Sequence, residues 1–235
     1  MKSGVPVLQT GEVHVWTLPS SRFLQELAVL SPEERERAGR YHFDSDRSLY
    51  IAGRAGARHL IAAYAGNVDP ASLRFVAGEH GKPALEHAPD PLDFNWSHSG
   101  ELAIFAITRA GPVGVDVERT ARFADIDAIA ERVFSERELA AYRLHEGDER
   151  RIAFFNGWTR KEAFIKATGE GLTRALKGFD VAISPAETVC LQAIDGSAEA
   201  AACWSLHAFE PQPGYAAAVA VGAADVTLRV MTWSP

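Results

Sequence analysis

Two stretches of this chain bring together residue types that handle phosphate and a hard cation. One is Gly114-Val115-Asp116-Val117-Glu118; the other, about forty residues on, is Trp158-Thr159-Arg160-Lys161-Glu162-Ala163-Phe164-Ile165-Lys166. In a strand, Asp116 and Glu118 point to one face while Val113, Val115 and Val117 point to the other, so the pair can share one ion. Mg²⁺ takes oxygen ligands and is held by one or two carboxylates plus substrate phosphate rather than by a closed protein cage. Glu162 offers a third carboxylate. On a helix, Trp158, Glu162 and Lys166 fall at i, i+4 and i+8 and share a face, with Lys161 about 100° round from Glu162. That face would carry an aromatic wall, a metal ligand and a cation. Alone, the same spacing describes an exposed helix with a Glu162–Lys166 ion pair and a core Trp158; its coupling to Asp116 and Glu118 favours the site.

Weaker signals surround these two. Gly81-Lys82-Pro83 suits a phosphate contact, because glycine lets the backbone approach and Lys82 supplies a point charge, although a surface turn reads the same way. In Asn95-Trp96-Ser97-His98-Ser99-Gly100, the Ser97 hydroxyl and His98 could donate to a phosphate, the histidine gaining charge beside an anion. Arg47, Arg54 and Arg58 recur at helical spacings of seven and four, as a basic stripe or an ordinary solvated face would.

Such residues need a strand, a long helix and connecting loops to hold them. Segment 12–18 alternates as a strand does, and Ser31-Pro32-Glu33-Glu34 starts a helix with a capping box and proline in the first turn. The helical pattern runs to about Ala65, with a break near Phe43–Asp46, and Gly66-Asn67 ends it. Leu73–Val76 and Phe94–Ser97 are short strands. Leu102–Thr108 is expected to pair with Val113–Glu118 as a hairpin across Arg109-Ala110-Gly111-Pro112. Ser135-Glu136-Arg137-Glu138 is a second capping box, and a further helix runs from about Asp148 to Thr168, stopped by Gly169-Glu170-Gly171. The last third reads as strands at 179–183, 188–194, 203–210, 215–221 and 226–232.

Laid on itself at an offset of 104 residues, the chain matches Ser31 with Ser135, Glu34 with Glu138, Asp44 with Asp148, Arg47 with Arg151, Gly53 with Gly157 and Ile61 with Ile165. That echo suggests two similar lobes, 1–112 and 113–235, with Asp116 where they meet.

A chain of 235 residues with 47% hydrophobic content can bury a substantial core. No segment approaches the roughly 18 uninterrupted apolar residues of a membrane span, and no secretory leader opens the chain, so a cytoplasmic protein without membrane contact is expected. Cys190 and Cys203 form neither a CxxC nor a zinc pattern. A net charge of −7 argues against general nucleic-acid binding.

Taken in order and spacing, Gly81-Lys82-Pro83, Phe94-Asn95-Trp96-Ser97-His98-Ser99, Gly114–Glu118 and Trp158–Lys166 resemble the motifs of the 4′-phosphopantetheinyl transferases of the surfactin-synthetase-activating type. The Trp and Lys-Glu-Ala wording is similar to one of that family's two subgroups. The resemblance implies an α+β fold of two pseudo-symmetric lobes with the site between them, in a monomer built like a fused dimer. It implies transfer of 4′-phosphopantetheine from coenzyme A to a serine of an acyl or peptidyl carrier protein, releasing adenosine 3′,5′-bisphosphate. Asp116, Glu118 and Glu162 would hold Mg²⁺; Glu162, or a water on the metal, would take the serine proton; Lys166 would neutralise phosphate charge. Lys82 and His98, with Ser97, would grip the phosphates, Lys161 would sit near the nucleotide phosphates or carboxylates, and Arg40, Arg47 and Arg54 are candidates for the 3′-phosphate. A carrier groove is expected between Arg119 and Leu144, where Arg122, Arg132 and Arg137 mix with Phe123, Ile126, Ile129, Val133 and Phe134. Two other readings are a noncatalytic protein that binds coenzyme A or a carrier, and a Mg²⁺-dependent phosphohydrolase.

Overall fold

The computed structural model describes residues 5–78, 81–86, 92–121 and 125–233. The first half runs β1 (Glu12–Pro19), α1 (Pro32–Gly39), α2 (Asp44–Tyr64), β2 (Phe75–Ala77), β3 (Pro83–Leu85), β4 (Asp93–Ser99) and β5 (Leu102–Thr108). The second runs β6 (Val113–Arg119), α3 (Ile126–Val133), α4 (Glu136–Tyr142), α5 (Gly147–Thr168), β7 (Phe179–Val181), β8 (Leu191–Ile194), α6 (Ala198–Ala202), β9 (Ser205–Phe209), β10 (Tyr215–Val221) and β11 (Thr227–Thr232). Among the described residues no helix is long and apolar enough to cross a membrane.

Period-2 alternation explains how the strands are layered. Val13 and Val15 of β1 pack with Ile104 of β5, with Val113, Val115 and Val117 of β6, and with Val219 of β10, in a core between two sheets. On the other face of β1, Trp16 and Leu18 join Ile51, Ala55 and Ile61 of α2. A third core gathers Phe154, Phe155 and Phe164 of α5 with Phe134, Phe179 and Ala218. The order is therefore helix, sheet, sheet, helix. Each Val or Ile sealed between the sheets contributes about 1.5–3 kcal/mol.

The internal echo is visible in topology. The first sheet contains the order β1-β5-β4 and the second the order β6-β10-β9, both with antiparallel neighbours. Both capping boxes form: Ser31 N donates to Glu34 Oε2 at 3.0 Å, and Ser135 N to Glu138 Oε2 at 2.8 Å. The two glutamates are buried and each takes a cation from the following long helix, Arg58 Nε at 2.7 Å and Lys161 Nζ at 2.8 Å. Each cation then closes the loop after its helix, Arg58 on the Pro70 and Leu73 carbonyls and Lys161 on those of Leu176 and Phe179.

Two sequence expectations change. The hairpin between 102–108 and 113–118 does not form: β5 is a central strand whose edges are taken by β1 and β4, so β6 crosses into the second sheet and pairs with β10. The last strand also leaves the second half. β11 runs parallel to β1, with Arg229 Nε 2.8 Å from Glu12 Oε1 and Trp233 packed edge-on against Trp16.

Candidate active site

The site forms where β6 lies against α5. Gly114 makes that approach possible: a Cβ there would sit 2.1 Å from the Ala163 carbonyl oxygen and 2.2 Å from the Ala167 nitrogen. The strand can touch the helix backbone only without a side chain at this point. Two residues on, Asp116 is buried beside the helix face carrying Glu162 and Lys166. The alternation read from the sequence holds, since the three valines enter the intersheet core.

Lys166 Nζ donates to Asp116 Oδ1 at 2.6 Å and to Ser97 Oγ at 3.0 Å, and Ser97 Oγ donates to Asp116 Oδ1 at 2.9 Å. Ser99 Oγ donates to Glu118 Oε2 at 2.7 Å. The two serines belong to a stripe on β4 that grips the free edge of β6. Asp93 Oδ1 accepts from Val113 N, Asn95 Oδ1 from Val115 N, and Ser99 Oγ from Arg119 N, at 3.0, 3.0 and 3.1 Å. Side chains of one sheet thus satisfy backbone donors of the other where no ladder forms. Asn95, Ser99 and Asp93 had no role in the sequence reading. Their signal is a polar residue at every second position of β4, Asp93, Asn95, Ser97 and Ser99, with Phe94 and Trp96 between the first three.

Burial pushes the Asp116 carboxyl above the usual range and Glu118 adds to the rise, while the Lys166 ammonium opposes it. Glu162 is raised by burial first and by Asp116 second, with Glu118 adding and Lys166 again opposing. Three carboxylates therefore share a desolvated region with one lysine, an arrangement that favours a further cation. Asp116 Oδ2 is buried and has no hydrogen-bond donor, which fits a ligand atom held ready. Among the described residues no group of three or more histidine, cysteine, aspartate or glutamate side chains is gathered closely enough to hold a metal ion by itself.

The other expected residues are distributed as follows. His98 is exposed, on the face of β4 opposite Ser97. Arg54 lies over the Trp96 ring at 5.2 Å, its Nε 2.8 Å from Glu34 Oε1. Arg47 is half-buried and pairs with Asp44, and the exposed Arg40 pairs with Glu36. The stripe of arginines is not continuous, because Arg58 is 1% exposed and belongs to the core. Lys161 is not brought to the cluster. One position round the helix from Glu162, it points inward, 1% exposed, onto Glu138. Lys82 Nζ is held by Asp93 Oδ1 at 2.8 Å and by the Ala167 carbonyl at 3.2 Å. In the expected carrier groove, Arg132 and Arg137 are exposed and Ile126 and Ile129 half-buried, whereas Val133 and Phe134 are core; Arg122 and Phe123 lie outside the described residues.

Residues 112–220 match the family model described as 4′-phosphopantetheinyl transferase superfamily, and residues 14–109 the one described as 4′-phosphopantetheinyl transferase, N-terminal. The chain, with its paired lobes and acidic cluster at their junction, belongs to the 4′-phosphopantetheinyl transferase family. It is 36% identical over 220 residues to the 4′-phosphopantetheinyl transferase HetI of Nostoc sp., covering 91% of this chain and 89% of that one. It is 32% identical to the 4′-phosphopantetheinyl transferase Sfp of Bacillus subtilis, with 85% of each chain covered. The human L-aminoadipate-semialdehyde dehydrogenase-phosphopantetheinyl transferase is 30% identical over 72% of this chain and 58% of its own length.

Proposed function

We propose that this protein transfers 4′-phosphopantetheine from coenzyme A to a serine hydroxyl of an acyl or peptidyl carrier protein. The family membership supports the reaction class, and the convergence of the buried Asp116 and Glu118 with the partly buried Glu162 and Lys166 is the observation that carries the mechanism. Asp116, Glu118 and Glu162 would hold Mg²⁺, which when bound supplies charge neutralisation across the pyrophosphate.

The chain's own residues supply the rest. The serine oxygen bonds to the β-phosphorus, the bond from that phosphorus to the bridging oxygen breaks, and adenosine 3′,5′-bisphosphate leaves. Glu162, whose proton affinity is raised by burial, takes the serine proton. Lys166, hydrogen-bonded to Ser97 and Asp116 yet only partly buried, offers its ammonium to the phosphate oxygens. Ser97 orients Lys166 and Asp116 together. His98, Arg54 and Arg47 are the groups of the first lobe that we assign to the remaining phosphates, and Arg132 and Arg137 the exposed cations for an acidic carrier. The reading takes the protein as a cytoplasmic monomer, in keeping with two unpaired cysteines and a cleft built within one chain.

The test is the intact mass of a purified apo carrier after incubation with the protein, coenzyme A and Mg²⁺, using one fatty-acid-type and one peptidyl-type carrier. A gain of one phosphopantetheine unit that disappears with chelator is expected. Bisphosphate release without any carrier would replace the reading with hydrolysis.

A further inference from the structure

The ammonium of Lys82 joins three elements from both lobes. It donates to Asp93 Oδ1 on β4 at 2.8 Å and to the Ala167 carbonyl of α5 at 3.2 Å, while the same Asp93 oxygen accepts the Val113 amide that opens β6. Ala167 lies in the last turn of α5, whose carbonyls have no helical donor, and a cation there both satisfies an orphan acceptor and complements the helix dipole. The fit extends to the stem. Gly169 ends the helix with φ +72°, a left-handed stop, and the stem of Lys82 packs beside it: a Cβ built on Gly169 would stand at van der Waals distance, 3.6 Å, from Lys82 Cδ. Lys82 is only 17% exposed. Ala167 follows Lys166 directly and Val113 precedes Gly114, so the clasp holds the two elements whose separation sets the site.

We propose that Lys82 is a positioning residue: it clasps the first lobe to the ends of α5 and β6 and thereby fixes Lys166 and Glu162 against Asp116, rather than binding a phosphate of coenzyme A. The inference deepens the transferase reading, on which its kinetic arm rests; its stability arm does not depend on it. Lys82, Asp93 and the end of α5 at Ala167 are then one device, its lysine and its helix end lying 85 positions apart.

The experiment compares K82M, K82R, D93N and K82M/D93N in the full chain. D93N keeps an oxygen for the Val113 amide and removes only the charge. Transfer is measured with coenzyme A and with 3′-dephospho-coenzyme A, and unfolding by urea. A clasp predicts kcat lower by about 10- to 100-fold in K82M and in D93N, with the ratio of kcat/KM between the two donors unchanged. K82R recovers part of the loss, and the double variant loses no more in kcat or unfolding midpoint than K82M alone. Loss of the donor ratio in K82M, with kcat in D93N and the unfolding midpoint untouched, would make Lys82 a phosphate ligand and overturn the proposal. Should K82M fail to fold, D93N decides alone: lowered kcat at constant donor ratio supports the clasp, and wild-type kcat defeats it. If the wild type transfers nothing, the urea cycle still tests the clasp, additive losses refuting it.

Discussion

At the scale of single residues, burial without full compensation is what marks the site. Asp116→Asn removes a carboxyl that burial penalises, so transfer should fall by at least about 100-fold while the metal-free protein melts no lower than the wild type. Parallel activity and calorimetry check this, and a large drop in Tm would point to a structural carboxylate. The pH dependence follows from the same direction of shift. Asp116 and Glu162 are raised, so the stability their protons contribute is present below the ordinary carboxylate range and lost as pH rises through the folded values. Mg²⁺ held as proposed would compete with those protons. Its stabilisation should be small in acid and grow as pH climbs past the elevated values, and a Tm increment constant with pH would contradict it. Lys161 carries the opposite prediction. It and Glu138 are each 1% exposed at the side chain, so Lys161→Met leaves a buried carboxylate alone and should cost about 3–5 kcal/mol in denaturant unfolding. The KM for coenzyme A should hold, and adding Glu138→Gln should restore much of the stability. Asp116, Glu118, Glu162 and Lys166 were legible because periods of two and four fix which face a residue takes. Lys161 was not, since spacing says that it faces elsewhere but not whether solvent or a buried glutamate lies there.

Elements set the distances that residues exploit. β6 reaches α5 because Gly114 is bare, and Gly114→Ala would drive a methyl into backbone that cannot rotate away. The expected result is a loss of about 3 kcal/mol or more in urea titration, with transfer abolished as Lys166 leaves Asp116. Wild-type activity in that variant would mean that the contact is dispensable. Most helices and strands could be read from caps and alternation: both capping boxes start helices, and the five strands expected after residue 178 appear as β7 to β11. Pairing could not be read. The run from 102 to 118 looks like a hairpin locally, and only the competing claims of β1 and β4 on the edges of β5 exclude it.

At the scale of the whole molecule, two copies of one plan are joined by unequal means. The echo at 104 residues marks matching capping boxes and matching helices, and Arg58 and Lys161 then serve the same internal purpose in their lobes. What no local pattern announced is β11, which completes the first sheet from the far end of the chain. Truncation after Asp225 should lower the melting temperature and promote self-association through the bared edge of β1, seen by light scattering. A monomer of wild-type Tm would disprove that role.

The return of β11 also imposes an order on synthesis. Thr17 and Met231, joined by the Thr17 hydroxyl, are separated by 214 positions, so all the residues between them must be translated before β1 has both neighbours. On the ribosome the first half can assemble its helix, its core and three of the four strands of its sheet, yet it waits with one side open until residues 227–232 have been made.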